Sequence, residues 1–152
     1  MFGSLFKKKQ NPARQRHIQT MQQIKACLLR MKRVYELTSR RPAQASIREL
    51  CKTTESILGV LLENPAYTGR LALFAEYYLP ETTGIAEQYA ARMKTGATQQ
   101  GRTDFEAKTE TFLRQAADSF ASILQGLFTA GEEQADVSME VLLEALKEQG
   151  LR

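Results

Sequence analysis

The chain has 152 residues, 43% of them hydrophobic and 25% charged, with a formal net charge of +4. That is the composition of an ordinary globular protein, long enough to bury about two thirds of its unfolded surface, so disorder throughout is excluded. Charges cut every apolar run short of the roughly 18 residues a membrane span needs, and Lys7, Lys8 and Lys9, with no apolar run after them, read against a secretory signal.

Residues 1–13 form an expected tail, flexible, basic and amphipathic: Phe2, Leu5 and Phe6, then Lys7, Lys8 and Lys9, then Asn11-Pro12. Residues 14–152 are expected to make one helical domain, whose first helix runs from about Ala13 to Leu37. Its apolar positions Ile18, Met21, Ile24, Leu28, Met31 and Tyr35 recur every 3 or 4 residues, a narrow seam of coiled-coil type. Pro42 ends this helix, because a proline disfavours the α conformation in the residue before it. A second helix, about Ala43 to Glu63, places Ile47, Leu50, Thr54, Ile57, Leu58, Leu61 and Leu62 on one side. The short link between the two predicts an antiparallel hairpin over residues 14–63.

Asn64-Pro65 reads as a helix stop and restart, with Asn64 as N-cap. From Tyr67 a helix carrying Leu71, Leu73, Phe74, Tyr77 and Tyr78 meets Pro80, which removes a backbone donor and presses on the carbonyl of Glu76. Ile85, Ala86, Tyr89, Ala90 and Met93 then resume the pattern, so a Pro-kinked central helix is expected. Thr95 to Gly101 is a loop by composition, a long helix covers about Thr103 to Phe128, and Gly131 to Gln134 is a second polar loop. Ser138 is the expected N-cap of a last helix, Met139 to Gln149, closed by Gly150. No alternating strand pattern occurs. The fold class is all-α, an elongated bundle of about five helices.

Charge is unevenly placed. Residues 1–50 hold 12 Lys or Arg against Glu36 and Glu49, a local charge of +10, while residues 51–152 hold 9 basic and 15 acidic residues, a local charge of −6. Such a basic end suits an anionic partner: phospholipid, nucleic acid, or an acidic protein face, the chain's own second half included.

Phe74-Ala75-Glu76-Tyr77-Tyr78-Leu79-Pro80-Glu81-Thr82-Thr83 with Tyr89, then Phe120 and Phe128, Asp136-Val137-Ser138, Glu140-Val141-Leu142 and Gly150-Leu151, resemble the XpaC family. The resemblance covers about residues 64–152, and its Tyr-Tyr-Leu-Pro-x-Thr-Thr core carries most of it. Those proteins are named for hydrolysis of 5-bromo-4-chloroindolyl phosphate. The resemblance implies a bacterial, cytoplasmic helical protein linked to toxic-anion (tellurite-type) resistance, with a TelA-like protein or a second copy as partner. Many relatives look membrane-anchored by N-terminal spans, where this chain has only its amphipathic tail. The family name implies a phosphatase, but no catalytic residues carry over with it.

Read from the residues, hydrolysis lacks parts. Phosphate-ester cleavage needs a nucleophile or metal-activated water and donors for the phosphoryl oxygens. The chain offers one histidine, His17, read as a surface residue, and three scattered aspartates, Asp104, Asp118 and Asp136. Cys27 to Arg33 has the Cys-x5-Arg spacing of cysteine phosphatases, but that chemistry needs a tight loop of free amides, and these residues fall in mid-helix. Cys27 and Cys51 read as small core fillers rather than redox or metal ligands. No catalytic, metal or cofactor residue is assigned, and no cofactor is expected.

Three surfaces remain. Phe2, Leu5, Phe6, Lys7, Lys8 and Lys9 could insert at an anionic bilayer interface, against the alternative of a plain soluble tail. Arg30, Lys32, Arg33, Arg40, Arg41 and Arg48 could meet nucleic acid, although without interleaved aromatics a solvated helix face is the favoured reading. Tyr77, Tyr78, Leu79, Pro80, Thr82, Thr83 and Tyr89 are either a structural kink, with threonine hydroxyls capturing freed carbonyls, or a partner-docking groove. The expected function is a non-enzymatic interaction or scaffold protein, peripheral to the inner face of the cell membrane and tied to stress or toxic-anion resistance. The alternatives are a phosphate-monoester hydrolase and a nucleic-acid binder.

Overall fold

The computed structural model describes residues 11–95, 99–129 and 132–150. It contains five α-helices and, among the described residues, no strand: α1 Pro12–Leu37, α2 Arg41–Glu63, α3 Leu79–Thr95, α4 Gln99–Gly126 and α5 Glu132–Glu148. Asn11 caps α1, its side chain accepting from the Ala13 amide at 3.0 Å ahead of Pro12 in the first turn. Pro42 lies in the first turn of α2, so the link is only Thr38 to Arg40 and the expected hairpin forms.

α2 packs against α1 and α4, and α3 against α1 and α4, closing a four-helix ring with α5 laid on the outer side of α4. Residues 30–37 of α1 run beside 87–94 of α3 in the same sense, and 42–49 of α2 beside 107–118 of α4 likewise. Because α1 is held on two flanks, its buried set is Thr20, Ile24, Cys27, Leu28, Met31 and Val34. That is broader than a coiled-coil seam and differently centred. Ile18, expected within it, is 42% exposed, and Leu62, expected on the inner side of α2, is 60% exposed. Thr54 and Thr109 do lie on the buried faces, their hydroxyls enclosed without a hydrogen-bond partner, as is that of Thr82.

Several boundaries depart from sequence expectation. Asn64 is the C-cap of α2, not an N-cap: its side-chain amide donates back to the Val60 carbonyl at 3.1 Å. Residues 65–67 form a 3-10 turn and regular helix resumes only after Leu71, since the Thr68 hydroxyl ties back to the Pro65 carbonyl at 2.7 Å. His17 is half-buried there, Nδ1 3.1 Å from Thr68 Oγ1. With the Thr68 proton donated to Pro65, that nitrogen carries the hydrogen and donates. α4 starts at Gln99, inside the expected loop, and α5 at Glu132, inside the second one. Gln99, Gln100, Glu132, Glu133 and Gln134 are good helix formers, and acidic residues suit a first turn. Ser138 is therefore within α5, not its cap, and its hydroxyl meets that of Ser119 on α4 at 3.0 Å. Gly150 does close the helix, at φ +73, a left-handed conformation that glycine adopts without strain.

The break near Pro80 is a π turn, Phe74–Tyr78, in which the Leu79 amide reaches five residues back to the Phe74 carbonyl. The wider turn relieves the proline ring against the preceding turn and leaves Pro80 in the first turn of α3, where its missing donor costs least.

Arg70 secures the far end of α4. Its guanidinium donates to the carbonyls of Gly126, Leu127 and Thr129 and lies 5.3 Å from the Tyr67 ring centroid. A cation there satisfies carbonyls that a helix end leaves without amides. Arg70→Ala is expected to cost about 1 kcal/mol in urea unfolding, with little change in the denaturant slope.

Candidate functional site

The tail residues Phe2, Leu5, Phe6, Lys7, Lys8 and Lys9 lie outside the described residues. The Tyr77 to Thr83 segment faces inward. Tyr78, Leu79, Thr82, Thr83 and Tyr89 are buried, and Tyr77, Pro80 and Glu81 are half-exposed. The Tyr78 hydroxyl lies 3.5 Å from Glu140 on α5, while Tyr89 donates to Glu110 on α4 at 2.8 Å and stacks on Phe105 with centroids 6.2 Å apart. These side chains join α3 to α4 and α5, and Tyr89 also lines a groove between α1 and α3. The threonines do not take the carbonyls freed by Pro80. Thr83 donates instead to Leu79 at 2.7 Å, past the break.

The cysteines are buried and free, in the cores of α1 and α2. Burial raises the thiol of Cys27, and raises that of Cys51 to about 11, which keeps both protonated and unreactive near neutrality. Cys27 to Arg33 lies wholly inside α1, so its amides belong to the helix rather than to a phosphate loop. Among the described residues no group of three or more His, Cys, Asp or Glu is placed to hold a metal ion.

The basic first part of the chain meets the acidic remainder inside the molecule. Arg30 grips Glu87 with two hydrogen bonds, 2.6 and 3.1 Å. Arg40 Nε lies 3.0 Å from Glu106 and 3.1 Å from Glu110, its hydrogen directed at Glu110, so Glu106 receives charge without a straight hydrogen bond. Lys32 pairs with Glu55 across the hairpin at 2.9 Å. Three of the six cations that could have met nucleic acid are thereby committed to the fold.

Arg41 and Arg48 on α2 stay uncommitted, and so does the outer side of α1. This helix carries six basic residues and one acid, Glu36. Arg14, Lys25 and Arg33 are exposed and none makes an ion pair among the described residues. At 100° per residue they share one side of the helix with Ile18, Leu29 and Leu37, and Leu29 and Leu37 are 61% and 58% exposed. A stripe of cations interleaved with exposed aliphatics is the candidate site. The charge excess marked this helix in the sequence, but which cations remain free depends on tertiary pairing and was not readable there.

Beside this stripe a groove of about 530 Å³ opens between α1 and α3, walled by Arg30, Arg33, Val34 and Leu37 on one side and Glu87, Ala90, Met93 and Lys94 on the other. Lys94 and Met93 carried no functional signal of their own, because only the packing of α1 on α3 brings them into one groove with Arg33. No family model, no curated protein and no solved structure matches this chain.

Proposed function

We propose that this chain is a non-enzymatic helical interaction protein that docks peripherally on an anionic surface, the inner face of the cell membrane, through the outer side of α1 together with the tail ahead of it. The observation that carries the reading is the stripe Arg14, Ile18, Lys25, Leu29, Arg33, Leu37, whose cations have no ion-pair partner among the described residues and whose aliphatic side chains are exposed. Cations near an anionic leaflet contribute about 1 kcal/mol each, and aliphatic side chains at the headgroup boundary add their own burial. Phe2, Leu5, Phe6 and Lys7 to Lys9 precede α1 directly and supply the same chemistry in sequence. No helix among the described residues is long and apolar enough to cross a membrane, so attachment of this part of the chain would be along the surface. The link to toxic-anion resistance and a TelA-like protein partner rests on the XpaC resemblance of about residues 64–152 alone.

Co-sedimentation with vesicles tests it. Wild-type protein is expected to pellet with phosphatidylserine-containing vesicles and not with pure phosphatidylcholine. Removing residues 2–9 should weaken the binding, and the triple variant Arg14→Glu, Lys25→Glu, Arg33→Glu should weaken it by about a hundredfold or more. Equal pelleting of wild type and triple variant would overturn the proposal.

A further inference from the structure

The groove between α1 and α3 shares Arg33 and Leu37 with the outer stripe but has α3 as its second wall, and we infer that it binds a medium-chain fatty carboxylate, with the alkyl chain along Val34, Leu37, Ala90 and Met93 and the carboxylate between Arg33 and Lys94. The inference goes beyond surface docking and does not depend on it.

Size, lining and charge each favour that ligand. A volume of about 530 Å³ falls in the range of small-molecule sites. From Arg30 to Leu37 the α1 wall is about 10 Å long, a span on the order of an extended alkyl chain of moderate length. The floor is aliphatic, and the thioether of Met93 adapts readily to an alkyl chain.

The charges around the rim are not equivalent. Arg30 holds both oxygens of Glu87, and Arg40 is shared between Glu106 and Glu110. Those acids each lie against an arginine of the protein, which offsets their charge toward a ligand. Arg33 and Lys94 are exposed, and neither has an ion-pair partner among the described residues. Two unneutralised cations on opposite walls of an aliphatic groove match a ligand with one anionic end and an apolar remainder. The planar guanidinium of Arg33 suits a carboxylate fork, and the ammonium of Lys94 meets it as a point charge. A nucleotide base or sugar would find no aromatic side chain to stack on within the open groove, since Tyr89 presents only a buried ring.

Titration calorimetry of the full chain with decanoate below its micellar concentration tests the assignment. Wild type is expected to bind one equivalent. Decanol, which keeps the chain and lacks the charge, and acetate, which keeps the charge and lacks the chain, should each bind at least about tenfold more weakly. Lys94→Glu, an exposed substitution that leaves the core untouched, should weaken decanoate about tenfold or more, and Ala90→Trp, which fills the groove, should abolish it. A melting curve on each variant separates blocked binding from misfolding, and if Ala90→Trp fails to fold, Lys94→Glu alone decides. Arg14→Glu with Lys25→Glu should weaken vesicle binding and leave decanoate unchanged, so failure of either proposal is visible apart from the other. Absence of decanoate binding, equal affinity for decanol, or full retention by Lys94→Glu would each overturn the inference.

Discussion

Replacing Phe120 by alanine is expected to destabilise the protein by about 3–5 kcal/mol, which is a large share of the about 5–15 kcal/mol that holds a domain of this kind folded. Phe120 is fully buried on α4, and its ring meets Phe74 edge-on, centroids 5.0 Å apart at 75°. Phe74 is the first residue of the π turn, so this contact pins the irregular segment to the longest helix. Alanine would forfeit the ring's transfer free energy, the edge-to-face term and the packing of a core that cannot fully collapse around the gap. Chemical denaturation followed by circular dichroism gives the number. Phe128→Ala is the matched control: Phe128 is 67% exposed, and its loss should change stability by no more than about 0.5 kcal/mol. A Phe120→Ala variant as stable as that control would mean the π segment is not anchored by this pair.

The same contact shows what could and could not be read along the chain. Helix identity followed from spacing, because Ile24, Leu28, Met31, Ile47, Leu50, Ile57, Leu61, Phe112, Ala116, Phe120 and Ile123 repeat with the period of a helix and all are buried. Local composition was a poorer guide at the ends. Gln99 to Gly101 and Glu132 to Gln134 looked like loops because they are polar, yet polar residues with good helix propensity extend a helix into water at little cost. The π turn was foreshadowed by Pro80 but not specified, since a proline can be accommodated by a kink, a break or a widened turn, and packing of Phe74, Tyr78 and Leu79 selects among them. The candidate site was legible only as an excess of charge. Arg30 and Arg33 are three residues apart and equally basic, but α3 brings Glu87 to the first and leaves the second free. That choice is made by tertiary structure, and no pattern within α1 encodes it.

Arg40 marks the second large effect. It leaves the end of α1 as the residue before α2 and places its guanidinium against Glu106 and Glu110, whose side chains are only 14% and 17% exposed. Glu106 and Glu110 are four residues apart on α4, a like-charge pair that Arg40 makes tolerable. Replacing it with methionine would leave two largely buried carboxylates without a counter-charge. Breaking a fully buried pair costs about 3–5 kcal/mol, but Arg40 is itself 46% exposed and water screens part of its field, so about 2 kcal/mol is expected here. Adding Glu106→Gln and Glu110→Gln to Arg40→Met should recover most of that loss, because the charges that needed the arginine are then gone, and a mutant cycle would measure the coupling. If the triple variant were no more stable than Arg40→Met, the role of Arg40 would be packing of its stem rather than charge. The network also sets an alkaline limit. Burial first, then the bond to Glu110, holds the Tyr89 phenol above its ordinary value near 10, so the neutral phenol is favoured in the fold. Its contribution to stability is therefore complete below about pH 10 and is lost as pH rises through the higher folded value. Tyr89→Phe should flatten that alkaline decline while Arg40→Met should not, which separates the phenol's titration from the arginine's support of the two glutamates.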